Sequence, residues 1–192
     1  MNLAFNFQDK LFWIHNFLPE KIYKEMYVNI LKNRNKLNFK KSYVNWKTFD
    51  EEISDMSESL DQKCEVKTNY FDKYNTFLYH QPFVNILNCN LYHHLRKYSY
   101  GQHLAWHSDD CKINEDRVYA ATFYFNKTWH ESWGGELMFK SSEGSGFIPV
   151  VGNSLLIVKA GLKHKVNANL KKTHIRFSIQ TWINKKISRI NN

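Results

Sequence analysis

Glycine is scarce in this chain and confined to one stretch: there are seven among 192 residues, all between Gly101 and Gly161. The tight turns of an antiparallel β-fold are therefore expected in the second half. Cysteine is rarer still. Cys64, Cys89 and Cys111 are an odd number without a spaced framework, which excludes a disulfide-stapled scaffold and predicts reduced thiols in a cytoplasmic compartment. Long apolar runs are missing. Stretches such as 154–158 fall far below the roughly 20 residues that cross a bilayer. Residues 1–16 interrupt their apolar positions with polar ones and an Asp9-Lys10 pair, unlike a secretory leader. No membrane association is expected.

Arginine and alanine are also depleted, at five and six residues against 22 lysines and 21 asparagines. AT-rich coding produces such a profile by drift. The net charge of +9 raises the question of phosphate binding. Yet the basic residues are dispersed, with short clusters at 40–41, 171–172 and 185–186. A solvated basic surface is the simpler reading, and nucleic acid is not expected as a partner.

What the chain does contain is apolar and aromatic mass. At 43% hydrophobic and 16% aromatic it can bury one substantial core, so 1–192 reads as a single domain. A strand-and-helix support region, 1–89, precedes a strand-rich core, 90–185. Residues 11–17 read as a strand with Trp13 and Ile14. Pro19 can then open a helix, with Ile22, Met26 and Ile30 in one apolar row and Tyr23, Tyr27 and Leu31 in the next. The polar segment 33–72 is read as a lid or substrate-contacting loop, with a short helix around 51–60. A second helix is expected between 74 and 87, broken or kinked by Pro82. Strands are expected at 91–98, 104–109, 118–125, 136–139, 154–158, 164–166 and 174–183. Short strands with Gly-bearing turns predict a mainly β fold with flanking helices (α+β), as a sandwich or barrel.

The chemistry sits in an ordered series: His107-Ser108-Asp109, then His164, then Arg176-Phe177-Ser178. Two imidazoles and a carboxylate can hold non-haem Fe(II) on one face and leave three positions open. In a strand, residues i and i+2 share a face, so His107 and Asp109 can aim at one metal while Ser108 points away. His164, after Gly161, starts a later strand and can supply the third ligand. The bland alternatives are a solvated strand end at 107–109 and a structural histidine at 164. In the last strand, Arg176, Ser178, Gln180 and Trp182 share one face, and Ile175, Phe177, Ile179 and Thr181 the other. Unpaired polar groups are costly to bury, so the first face meets solvent or lines a pocket where a guanidinium grips a carboxylate. His93, His94, His103, His130 and His174 read as surface or packing residues, with His103 on the face of His107.

Residues 98–182 resemble the catalytic core of the Fe(II)/2-oxoglutarate-dependent dioxygenases, on the prolyl-4-hydroxylase-like branch. The resemblance is carried by Tyr98-Ser-Tyr-Gly101, His107-Ser-Asp109, Ala121-Thr-Phe-Tyr-Phe-Asn126, Gly134-Gly-Glu-Leu137, Pro149-Val-Val-Gly152, His164 and Arg176-Phe-Ser178. It implies a double-stranded β-helix, or jelly roll, with helices packed on one sheet. It implies Fe(II) on His107, Asp109 and His164, and 2-oxoglutarate with its distal carboxylate on Arg176 and Tyr124. Ser178, Tyr98 or Tyr100, Gln180 and Trp182 match further pocket positions. Dioxygen as oxidant and ascorbate as reductant belong to the same expectation. The implied reaction hydroxylates an aliphatic C–H bond, releasing succinate and CO2. A prolyl residue of a peptide or protein is the favoured substrate, and a free amino acid or small metabolite the alternative. Two classes stand further off. A nucleic-acid dealkylase of this superfamily carries a second arginine soon after the first, and 179–183 supplies none. A non-catalytic β-sandwich module would leave the ligand set incidental. Oligomeric state is not legible.

Overall fold

In a computed structural model the described residues are 2–33, 40–41, 46–47, 52–53, 58–61, 69–109 and 116–186. Strands β1 (Asn2–Phe7) and β2 (Leu11–His15) form a hairpin, followed by helix α1 (Glu20–Asn33). Short strands β3 (Lys40–Lys41), β4 (Trp46–Lys47), β5 (Glu52–Ile53) and β6 (Glu58–Asp61) precede helix α2 (Asn69–Tyr79). Then come β7 (Cys89–Tyr98), β8 (Leu104–His107), β9 (Arg117–Tyr124) and β10 (Leu137–Ser141). β11 (Gly144–Ile148), β12 (Ser154–Lys159), β13 (Lys163–Val166) and β14 (Arg176–Lys185) complete the order.

Two antiparallel sheets make the jelly roll. The larger runs β1-β2-β12-β9-β14-β7-β6-β3 and the smaller β11-β10-β13-β8, with β4 and β5 paired separately. β12 shows why its sequence is apolar throughout, because both of its faces are buried. Leu155 and Ile157 join Phe123, Phe177 and Ile179 under the helices, packed on Tyr23 and Met26 of α1 and Tyr74 and Leu78 of α2. Leu156 and Val158 point the other way, between the sheets, onto Leu137, Phe139, Ile148 and Leu162. Each such side chain contributes roughly 1.5–3 kcal/mol of burial. α1 is fixed to the larger sheet by the Tyr23 hydroxyl, which donates to the Phe125 carbonyl at 3.0 Å. Asn153 fixes the chain entering α1, with its side chain accepting from Leu18 N at 2.9 Å and donating to Leu18 O at 2.8 Å.

Several expectations need correction. The region around 51–60 is not helical where it is described. β5 and β6 are strands, and β6 pairs along β7 from Glu58↔Lys97 to Asp61↔His94. The open ladder of β7 outweighs local helix preference there. β1 and β11 were not anticipated. The β1–β2 turn is tight although it has no glycine: Gln8 and Asp9 take φ of 50° and 53°, and Lys10 N donates to Phe7 O at 2.8 Å. Asn6 supports that left-handed turn, accepting from Asp9 N and donating to the Asp9 carboxylate. α2 begins before Tyr74 and stops at Tyr79, ahead of Pro82. In the α1 stripe Tyr23 and Met26 are buried and Ile22 and Tyr27 pack beside them, while the side chains of Ile30 and Leu31 lie outside the described set. Cys89 is a buried free thiol. Cys64, Cys111 and most of the segment read as a lid also fall outside the described residues. Among the described residues no helix is long and apolar enough to cross a membrane.

Candidate active site

The two histidines meet because their strands pair. His107 on β8 lies directly opposite His164 on β13, and residues opposite in an antiparallel pair project to the same face. Their ring centroids are 4.2 Å apart. Each Nδ1 faces a carbonyl two residues upstream, His107 to Ala105 O at 2.9 Å and His164 to Leu162 O at 2.8 Å. A carbonyl only accepts, so Nδ1 carries the proton and the Nε2 lone pair is left to face the centre. Asp109 lies beyond the end of β8, in a bend. The i, i+2 strand argument therefore holds for His107 but does not place Asp109, which the turn delivers instead. Its carboxylate stands 3.9 Å from His107 Nε2 through Oδ1 and 3.5 Å from His164 Nε2 through Oδ2. Burial, and next the adjacent His164, pull the His107 pKa down from 6.5 to about 4, so this imidazole is neutral and able to ligate at neutral pH.

Across the cavity, β14 presents Arg176, Ser178, Gln180 and Trp182, with Tyr98 and Arg96 of β7 beside them. Arg176 is 1% exposed. Its guanidinium carbon lies 4.7 Å from the Tyr98 ring centroid and 4.9 Å from that of Tyr124. Register explains the cage: Tyr98 is the partner of Arg176 across β7–β14, and Tyr124 is the partner of Ser178 across β9–β14. Asn126 pins the entry to β14, donating to Ile175 O at 2.7 Å and accepting from Phe177 N at 2.8 Å. The backbone on both sides of Arg176 is thus fixed. Gly135 leaves room for it, since a Cβ there would sit 3.0 Å from Arg176 Cδ. Gln180 accepts from the Thr122 hydroxyl at 2.9 Å.

The other candidates separate cleanly. Tyr98 lines the cavity, whereas Tyr100 is 53% exposed with its ring near the Lys172 ammonium. His103 bonds to Gly101 O rather than lining the cavity. His93 is no surface residue. It is buried on the helix side, bonded to Thr181, its pKa lowered to about 4 by burial and then by His94. Trp182 lies against a residue that sequence reasoning passed over, Arg117, whose guanidinium carbon is 4.0 Å from the indole centroid. Arg117 also reaches Asp109. One signal was present: arginine is rare here, and Arg96, Arg117 and Arg176, three of five, border this site. Where drift favours lysine, an arginine marks a place that needs the planar fork.

Among the described residues, His107, Asp109 and His164 form a trio that could hold a metal ion, with donor atoms within 4.8 Å of one another. The donor set suits Fe(II). Several buried polar atoms around the site make no well-formed hydrogen bond within the protein, among them Asp109 Oδ2 at the trio, and Arg176 Nε and the Tyr124 hydroxyl across from it. Native interiors rarely leave such groups unpaired. Their convergence fits a cation on one wall and an anionic oxygen ligand on the other. The Tyr124 hydroxyl makes no well-formed bond, although the Arg176 guanidinium is close enough to oppose the rise in its pKa that burial causes.

Residues 93–184 match the family described as the 2OG-Fe(II) oxygenase superfamily. No curated protein matches the sequence. Solved structures share the fold at low identity. A prolyl-4-hydroxylase from Pseudomonas putida superposes with a TM-score of 0.69 at 16% identity, over 93% of this chain and 94% of that one. A prolyl hydroxylase from Trichoplax adhaerens, in complex with a hypoxia inducible factor oxygen degradation domain peptide fragment, gives 0.72 at 16%, over 93% and 84%. SnoN, a non-heme alpha ketoglutarate dependent epimerase from nogalamycin biosynthesis, gives 0.64 at 10%, over 96% and 83%. At these identities the likeness is one of fold, and one fold hosts many reactions. The family match adds to this: the segment 93–184, which contains every residue of the candidate site, is similar in sequence to the 2OG-Fe(II) oxygenase superfamily.

Proposed function

We propose that the chain is a 2-oxoglutarate-dependent hydroxylase of an aliphatic C–H bond, acting on a prolyl or similar residue of a peptide or protein. The observation that supports this most is one cavity lined on one side by the two-histidine, one-carboxylate trio and on the other by a caged, partly unpartnered arginine. His107, Asp109 and His164 hold Fe(II). Arg176 takes the distal carboxylate of 2-oxoglutarate through its fork, the Tyr124 hydroxyl donates to that carboxylate, and Tyr98 walls the guanidinium. Ser178 and Gln180 lie along the same strand face. Fe(II), with 2-oxoglutarate and dioxygen, supplies the oxidising power, and the cosubstrate leaves as succinate and CO2; ascorbate serves as a reductant. The chain's own part is geometric and electrostatic. Fixed imidazole tautomers present their lone pairs, the Asn126 clamp sets Arg176, and the apolar floor of Leu137, Val158 and Val166 keeps water from the reacting centre.

The peptide preference draws support from the prolyl hydroxylase neighbours, one of them solved with a peptide. The test offers proline-containing peptides, free amino acids and methylated oligonucleotides to the Fe(II)-loaded chain with 2-oxoglutarate, and counts succinate against product. Succinate matched by a one-oxygen mass gain on a peptide is expected. Coupled turnover on free amino acids alone would move the substrate class to the small-molecule alternative. Coupling only to the methylated oligonucleotide, with formaldehyde released, would overturn the reading.

A further inference from the structure

We propose that Arg117 is a positioning residue that selects which oxygen of Asp109 faces the metal; this rests on the iron-site reading above. Arg117 Nη1 lies 3.4 Å from Asp109 Oδ1, and the two residues are 8% and 3% exposed. Oδ2 receives no hydrogen bond and faces His164 Nε2 at 3.5 Å. With Oδ1 held by the guanidinium, Oδ2 is the oxygen presented for ligation. One-oxygen ligation leaves the remaining positions for cosubstrate and dioxygen. A carboxylate able to swing both oxygens onto the metal would take one of them.

The strand geometry shows how Arg117 comes to point here. Along β9 and β14 the cavity-side pairs are Ser178↔Tyr124, Gln180↔Thr122 and Trp182↔Ala120. Regular alternation would continue to Asn184 opposite Val118 and send Arg117 to the helix side. Instead the register slips between Ile183 and Asn184, so that Asn184 pairs with Arg117. Val118 packs against the core beneath the helices. One extra residue in β9 thus moves an arginine from the helix side to the cavity side, a re-aiming that β-bulges near active sites perform. Trp182 then holds the guanidinium from a second direction, at 4.0 Å.

The experiment is an anaerobic Co(II) titration of the metal-free chain, followed by visible absorption, with thermal unfolding as the folding control. Wild type is compared with Arg117→Gln, Arg117→Lys, Trp182→Phe and Trp182→Leu. Removing a hydrogen-bond partner of a ligating side chain typically weakens metal binding by roughly 10–100-fold. Arg117→Gln is expected in that range, with an altered Co(II) spectrum. Arg117→Lys, keeping charge without the fork, should fall between it and wild type. Trp182→Leu should shift the spectrum in the Arg117→Gln direction, and Trp182→Phe, which keeps a ring beside the guanidinium, should shift it less. Folded Arg117 variants with wild-type affinity and spectrum would overturn the proposal. If Arg117→Gln does not fold, Arg117→Lys and Trp182→Leu decide by the same criterion. Wild-type Co(II) binding that is absent, or that survives His107→Ala and Asp109→Ala unchanged, would instead overturn the iron-site reading and this proposal with it.

Discussion

The Tyr124 hydroxyl is fully buried and makes no well-formed hydrogen bond, with the Arg176 guanidinium as its near polar neighbour; a buried group so poorly satisfied costs roughly 1–3 kcal/mol. On the proposed reading its value lies in binding 2-oxoglutarate. Tyr124→Phe should therefore raise the melting temperature of the cosubstrate-free chain while weakening 2-oxoglutarate binding, two changes of opposite sign in one variant. A lower melting temperature with unchanged binding would mean that the hydroxyl is structural. Arg176→Lys tests the larger contact. Lysine keeps the charge but loses the fork and the planar stacking between Tyr98 and Tyr124, so 2-oxoglutarate affinity should drop about 10- to 100-fold with Co(II) binding retained. Calorimetry on the Co(II)-loaded chain reads both. At this scale the sequence was informative where chemistry is local: His107, Asp109, His164 and Arg176, singled out by residue type and order, are gathered around one cavity. Arg117 was not singled out, because alternation through Tyr124, Thr122 and Ala120 puts it on the wrong face, and a bulge has no composition of its own here. Asn126 was visible as part of a motif, but its grip on the backbone around Arg176 depends on a contact 49 residues away.

Between elements, α2 and the back of β14 are joined by a polar knot inside an apolar core. The Tyr74 hydroxyl and His93 Nδ1 both reach the Thr181 hydroxyl, at 3.1 and 2.9 Å. Thr181→Val keeps the shape and strands the buried Tyr74 hydroxyl, so stability should fall by about 1–3 kcal/mol. Thr181 faces away from the cavity, so Co(II) affinity should stay within about two-fold of wild type. Denaturant melts and the same titration separate the two, and a large loss of metal binding would show that the helix layer sets the site. Elements were legible where one physical rule dominated. α1 followed from Pro19 and a 3.6-residue stripe, and β12 from an apolar run too short for anything but a strand buried on both faces. β1 was hidden because its turn uses Asn6, Gln8 and Asp9 in place of glycine. β6 was hidden because it is defined by the edge of β7 rather than by its own residues. β11, Gly144–Ile148, has two glycines in five residues, and its strand identity comes from pairing with β10.

For the molecule as a whole, two buried histidines tie stability to pH. His93 and His107 each titrate near 4 in the folded chain against an ordinary 6.5, both chiefly because burial disfavours the charged ring. Between those values the unfolded chain binds protons that the folded chain refuses. Stability is therefore full above about pH 6.5 and declines as pH falls towards 4, by up to about 1.4 kcal/mol per pH unit for each histidine. Urea melts of the metal-free chain at pH 7, 6 and 5 should show the midpoint falling, in a window above most carboxylate titration. Replacing His107 with Gln should reduce the slope, and replacing His93 with Asn should reduce it by a similar share. Bound metal adds a second dependence of the same sign, because ligation requires neutral imidazoles and protons compete for them. The Co(II)-loaded chain should thus be more stable than the metal-free chain at pH 7, by an amount that grows with the logarithm of metal concentration, and should lose that advantage as the pH falls to 5. A metal-free midpoint that stays flat from pH 7 to 5 would mean that neither histidine is held neutral by the fold. The low His107 pKa would then be no part of what readies the site for metal.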